Sequence, residues 1–346
     1  MHEALKGLLF AIYYPVIAVI GVPANLAVIS ILSRRRCGIP GCIVYYLVSM
    51  AVSDLLVIVT AVVLNRIAGI YFPSSFLSIT PVCSVRSAFN YGFIDSSAWL
   101  TVAFTIDRFV AISCQTLKMT YCTRRTAMRI VGIVTTLSFI KNIFVYFTYE
   151  PRYIVKNKPW FCNLKDVFYT SVVWAAYDWI CSILTTCLPF LLILLLNALT
   201  VRYILVANRA RTRLQNQKMG KNRSDAEMEK RRKSIVLLFA ISGSFILFNV
   251  LYFITILYVR IGNLTYASGS NFNNLSFVLN ESAFMLQFLS SCINPFIYAG
   301  TQNKFRAEKR SSMPLIATVD IAEIRLFGSP VFEERRQVRL ELDKAI

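Results

Sequence analysis

The residues of this chain that could do chemistry are few and scattered. Its one histidine is His2, close to the start, so a histidine general base, a catalytic triad or a histidine zinc site is excluded. Asp54 closes the run Leu47-Val48-Ser49-Met50-Ala51-Val52-Ser53-Asp54, and Asp95 interrupts a second apolar stretch. Neither has a companion motif such as Gly-x-Gly-Asp, and acid–base work in a membrane-embedded enzyme needs paired groups. Two constellations remain. Asp107-Arg108-Phe109 sets a carboxylate beside a guanidinium, and Asn294-Pro295-Phe296-Ile297-Tyr298 carries a proline that removes a backbone hydrogen bond and permits a kink. Ion pairing and kinking change shape rather than make bonds, so no enzyme activity is expected.

The elements that position these residues are membrane spans. The chain has 346 residues, 56% of them hydrophobic and only 16% charged, with a mean hydropathy of +0.56. Segments 7–33, 179–201, 234–259 and 282–303 contain no Asp, Glu, Lys or Arg. Each reaches the roughly 20 apolar residues that cross a bilayer as a helix. Stretches near 42–64, 83–112 and 127–149 are as long and apolar but carry isolated charges: Asp54; Arg86, Asp95 and Asp107-Arg108; Arg129 and Lys141. Seven spans result. Soluble helices need a polar face that these lack, and barrel strands would be about ten residues long with alternating polarity. The fold class is therefore an all-α seven-transmembrane helix bundle.

Charge gives the orientation. Lys and Arg number 37 against 18 acidic residues, a net charge of +19. Of these, 27 fall near 33–44, 113–129, 202–233 and 301–346, and 8 in the alternate connections. The positive-inside rule places the N-terminus outside and the basic tail in the cytoplasm. The excess of positive charge is thus topogenic, and no nucleic-acid partner is expected. Sequons at Asn263, Asn274 and Asn280 lie on the outer side and the one at Asn222 inside, making Asn263 and Asn274 glycosylation candidates. The first span lacks a basic preceding region and is of full length, so it is expected to target the chain itself. Of nine cysteines, only Cys83 and Cys162 fall at the oxidising face, and a disulfide between them is the economical pairing.

With Gly21-Val22-Pro23-Ala24-Asn25 in the first span, the order and placement of these motifs resemble the rhodopsin-like (class A) G-protein-coupled receptors over about residues 8–310. Asn25, Asp54, Arg108, Pro189 and Pro295 occupy that family's reference positions, and Cys83 lies 25 residues before Arg108, as the family's disulfide cysteine does. The resemblance implies a short extracellular N-terminus (1–7), a seven-helix domain (8–300), an amphipathic eighth helix (301–310) containing Phe305, and a disordered cytoplasmic tail (311–346). It implies an interior sodium pocket of Asp54, Ser97, Ser290 and Asn294, with no other cofactor, and coupling switches at Asp107, Arg108, Asn197 and Tyr298. Its partners would be an extracellular small-molecule or peptide ligand, a heterotrimeric G protein and membrane lipids, at the plasma membrane. A seven-helix transporter or channel is the alternative, though internal repeats and a recurrent polar lining are missing.

Departures from the family pattern are Phe109 for tyrosine, no tryptophan in the fourth span, Phe248 and Val250 for the sixth-span tryptophan and proline, Asn197 for tyrosine, and Lys230 near the usual glutamate. Phe288 in place of a Schiff-base lysine argues against retinal, and Asn90 in place of aspartate argues against monoamines. The run Leu100 to Arg108 with Asn197 is similar to the orphan, peptide-receptor-like group that senses tryptophan and phenylalanine. By depth, the ligand-contact residues are Asn90, Tyr91, Ile94, Asp95, Asp178, Phe248, Tyr252 and Glu281. Their carboxylates make an acidic mouth suited to an amine-bearing ligand, unless loop lysines such as Lys156 and Lys158 pair with them. Lys141 is expected to snorkel outward.

Overall fold

A run of apolar residues with no polar face can bury itself only in lipid or against similar helices, and both happen here. The computed structural model describes residues 2–34, 40–215, 224–262 and 275–301. Its long helices are α1 (His2–Ser33), α2 (Gly41–Tyr71), α3 (Thr80–Ser113), α4 (Arg124–Thr148), α5 (from Val172 into Leu188–Gln215), α6 (Ser224–Ile261) and α7 (Leu275–Thr301). Helices α1, α2, α4, α5 and α6 are long and apolar enough to cross a membrane by themselves. In α3 the polar residues Arg86, Asp95, Asp107 and Arg108 lower the hydropathy, and the interior position of three of them explains how the helix tolerates them: Asp95, Asp107 and Arg108 are all at least 96% buried. The lipid-facing belt consists of side chains such as Val19, Ile133, Leu137, Ile140, Leu195 and Leu247, all exposed.

Apolar packing forms two principal layers. The inner one gathers Tyr46, Leu47, Met50, Phe104, Leu237 and Tyr298, and the outer one Tyr14, Ile17, Ile58, Val62 and Phe288. Asp54 and Asn294 lie between them in sequence on α2 and α7, so a polar layer separates two greasy ones. Small residues let the helices meet where no hydrophobic force draws them together in lipid. A Cβ on Gly21 would come within 2.5 Å of Cys292 Sγ and 2.6 Å of Ile58, and one on Gly92 within 2.7 Å of the Phe139 ring. These glycines set the approach of α1 to α2 and α7, and of α3 to α4.

Two helices depart from regular winding. In α2, Ile58–Ile67 is wound as a π-helix; in α5, Ile183–Cys187 is, immediately before Pro189. The second has a local cause. Proline has no N–H to give and its ring crowds the preceding turn. In the wide register the Leu188 N–H reaches the Ile183 carbonyl, and the Leu184 carbonyl, whose partner would have been Pro189, instead accepts the Trp99 indole N–H at 3.0 Å. The sequence contains no proline in Ile58–Ile67, and nothing local in it explains the first π segment.

On the outer side, Tyr149–Val155 (β1) and Lys158–Leu164 (β2) form an antiparallel hairpin. Lys156 and Asn157, at the turn, both have positive φ, as tight hairpins of this kind require. Cys162 in β2 is bonded to Cys83 at the top of α3, the expected disulfide. Thr80 Oγ1 also donates to the Phe161 carbonyl at 2.9 Å, so a hydrogen bond ties the hairpin to α3 beside the disulfide. The expected eighth helix (301–310), the tail and the sequons at Asn263 and Asn274 fall wholly or mostly outside the described residues. Asn280 lies inside α7 rather than in a loop.

Candidate functional site

Asp54 is the centre of the polar layer. Its side chain is enclosed, with 1% of the residue exposed. Ser97 Oγ donates to one carboxylate oxygen at 2.6 Å and Asn294 Nδ2 to the other at 2.7 Å, joining α3 and α7 to α2. Ser290 was the serine of α7 expected in this pocket. Ser291 is the serine hydrogen-bonded to the carboxylate, while Ser290 lines the adjoining cavity. On a helix one residue is about 100° of rotation, enough to exchange two neighbouring serines. Asn25 Nδ2 completes the network by donating to the Ser291 carbonyl, at 3.0 Å, and to Gly21 in its own helix. The adjoining cavity, lined by Ser97, Thr101, Ser290, Ser291 and Asn294 among others, holds about 30 Å³. That is room for a water or two or a single ion, and no ligand of drug size.

Below it, Arg108 is held by its neighbour. Its Nε donates to Asp107 at 3.0 Å, and a second guanidinium nitrogen pairs with the same carboxylate oxygen. The guanidinium also reaches Ser234 Oγ of α6 at 3.4 Å and Cys42 Sγ of α2 at 3.6 Å, and lies 5.9 Å over the Phe104 ring. Ser234 therefore supplies an α3–α6 contact in the region where Lys230 stands for the usual glutamate. Asn197 takes the hydroxyl of Ser242 at 3.0 Å, which ties α5 to α6. Tyr298 is buried, and its hydroxyl has no hydrogen-bond partner among the described residues. In the inner connection, burial followed by the nearby Asp107 carboxylate pushes the Cys122 thiol up to about 12, so it stays protonated and inert at neutral pH.

The residues picked by depth do not form one pocket. Ile94 and Tyr252 line the small central cavity, where Phe245 and Asn249 also project, but Phe248 does not. Asp95 is neutralised: Lys141 pairs with it from α4 while donating to Thr185 Oγ1 at 2.6 Å, and Asn142 also donates to it. Lys141 therefore does not snorkel outward as expected, because an ammonium beside a buried carboxylate is better placed than one reaching for the interface. Glu281 pairs with Arg66 at 3.0 Å and accepts from the Tyr14 hydroxyl at 3.2 Å, so neither loop lysine is its partner. Asn90 is half-buried with its amide oxygen unsatisfied, and Asp178 is half-buried near the start of α5. Tyr91 is hydrogen-bonded through its hydroxyl to Tyr149 of the hairpin.

The ligand-sized space lies higher. Between α2, α3 and the hairpin is an outer cavity of about 600 Å³, within the range of small-molecule sites. Arg86, Ser87, Tyr149, Arg152, Tyr153 and the Cys83–Cys162 disulfide line it, none of them except the disulfide an expected site residue. Trp99, Asn142 and Thr185 were missed as well. The signal for Trp99 was an indole N–H in an apolar span, which must find an acceptor.

Seven helices around a buried carboxylate, with a disulfide-tied outer hairpin and an Asp–Arg pair at the inner end of α3, define a seven-helix membrane receptor. The model of the 7 transmembrane receptor (rhodopsin family) matches residues 24–298, and the chain belongs to that family. It is similar to the C-C chemokine receptor type 1 of Macaca fascicularis, at 24% identity over 309 residues, covering 88% of this chain and 79% of the relative. The family is one of receptors, not of enzymes.

Proposed function

We propose that the protein is a plasma-membrane receptor, N-terminus outside, that couples a ligand at its outer mouth to a heterotrimeric G protein at its cytoplasmic face. The observation that carries this reading is Arg108, buried and paired with Asp107 on α3 yet touching Ser234 of α6. An arginine shared between two helices at the inner end is a two-state element: outward movement of α6 frees it. A ligand that binds the open arrangement better raises the affinity of the G protein, and the reverse follows by linkage. Asn197 and Tyr298 act with it as coupling switches. Arg108→Ala, reconstituted in nanodiscs with a panel of G proteins, should lower basal nucleotide exchange at least tenfold at matched receptor amounts. Exchange equal to that of the unsubstituted protein would remove Arg108 from this role.

The Asp54 cluster fits a sodium ion. A buried carboxylate, hydroxyls from Ser97 and Ser291, and an adjoining cavity of about 30 Å³ lined by further hydroxyls supply hard oxygen donors without a bulky side chain in the way. Bound there, the ion would offset the carboxylate charge and favour the closed bundle. A cation at ten times its dissociation constant would raise the melting temperature by about 3 °C. The expected result is such a rise in sodium chloride relative to choline chloride, lost in Asp54→Asn. An equal rise in both proteins would place any sodium effect elsewhere.

A further inference from the structure

The outer cavity has a charge opposite to that expected of the mouth. Among its described lining residues there are two arginines and no aspartate or glutamate. Arg86 rises from α3, half-buried, and its partners are all neutral: the carbonyls of Leu64 at 2.8 Å and Leu77 at 3.2 Å, and the amide oxygen of Asn65 at 3.1 Å. Its Nε is buried and makes no hydrogen bond. This differs from Arg66, which has Glu281, and from Lys141, which has Asp95. Carbonyl dipoles hold the guanidinium in place without cancelling its charge, so the positive potential is directed into the cavity. Arg152, on the exposed strand β1, adds a second positive charge from the opposite wall, steadied 5.6 Å from the Tyr153 ring. The hydroxyls of Ser87 and Tyr149 are hydrogen-bonded to each other between the two, and the rings of Tyr149, Tyr153 and Phe161 supply apolar surface.

We infer that this cavity binds the anionic group of a small, partly aromatic ligand, with Arg86 as its anchor and Arg152 at its rim. A planar guanidinium suits a carboxylate, whose two oxygens accept its forked donors. The inference rests on the receptor reading only in calling the occupant a ligand; binding itself requires no signalling.

A matched series of probes tests it: 4-phenylbutyrate, 4-phenylbutanamide and 4-phenylbutylamine, which share a body and differ in the head group. Affinities are measured by saturation-transfer NMR on the full chain in nanodiscs, without G protein. The carboxylate should bind at least tenfold more tightly than the amide, and the amine more weakly still. Arg86→Gln should remove at least nine-tenths of that preference and Arg86→Lys should restore part of it. Because Arg86 also ties down Leu64 and Leu77, Arg152→Gln serves as a second variant outside the packed bundle, expected to weaken the carboxylate at least threefold. Equal affinity for the three probes, preference for the amine, or unchanged carboxylate binding in both substituted proteins would overturn the inference. Nucleotide exchange measured separately on the same preparations keeps the two readings apart. Carboxylate binding without any exchange leaves the anion site standing and removes G-protein coupling; exchange without carboxylate preference does the reverse.

Discussion

Lys141→Met is expected to destabilise the bundle by about 3–5 kcal/mol, the cost of leaving a buried charge without its partner. Asp95 is 1% exposed, and of the two groups compensating it only Lys141 is charged; Asn142 supplies a hydrogen bond. With the ammonium gone, the carboxylate must take up a proton or drag water between α3 and α4. At the size of this domain the loss corresponds to a fall of about 10 °C in melting temperature. Asp95→Asn should cost less, because the lysine keeps Thr185 as an acceptor and its long stem can carry the charge toward the outer interface. The double substitution should melt near the unsubstituted protein, since replacing both members of a buried pair is often close to neutral. The measurement is a double-mutant cycle by thermal unfolding in nanodiscs. Additive costs would mean that the two groups do not act as a pair.

Breaking the disulfide has the second large effect. Cys83 and Cys162 are 79 residues apart in the chain, and a crosslink closing such a loop contributes about 4.5 kcal/mol in the chain-entropy model. Here it also fixes the roof of the outer cavity, since both cysteines line that space. Cys83→Ser, Cys162→Ser and the double substitution should therefore be equally unstable, each reaching the cell surface at a small fraction of the normal amount and melting about 10 °C or more lower. Three equal losses are the signature of one shared bond. Single substitutions that behave normally, or a double substitution twice as damaging as either, would contradict it.

Most of the fold was legible because a bilayer imposes a one-dimensional rule. Four charge-free runs of spanning length and three apolar stretches with isolated charges gave seven helices, which the structure has, and the pairing of Cys83 with Cys162 followed from which face each occupies. Rotation about each helix axis was not legible. A helix that is apolar on every side carries little information on which side faces its neighbours. Lys141 was therefore sent outward when it faces Asp95, the bond of Ser291 to Asp54 was missed beside Ser290, and Phe248 was chosen where Phe245 and Asn249 project. The outer cavity was illegible for another reason. It is walled by a hairpin whose strands carry no clean alternation and whose place is set by ties to α3 rather than by its own pattern. Arg86, read alone, was one more charge in a long span.

The wide winding of Ile58–Ile67 sets the bearing of the outer end of α2 in a way its composition does not suggest. Residues on either side of that segment work in different layers: Asp54 below it belongs to the polar centre, while Asn65 and Arg66 at its end meet Arg86 and Glu281 at the mouth. The segment sets their relative bearing. Rewinding it as regular helix with no residue lost would swing everything beyond it by about 100° or more, carrying Arg66 away from Glu281 and Asn65 away from Arg86. Many apolar exchanges within these ten residues would leave both contacts intact. What the stretch has to keep is its winding, and many apolar sequences can keep it.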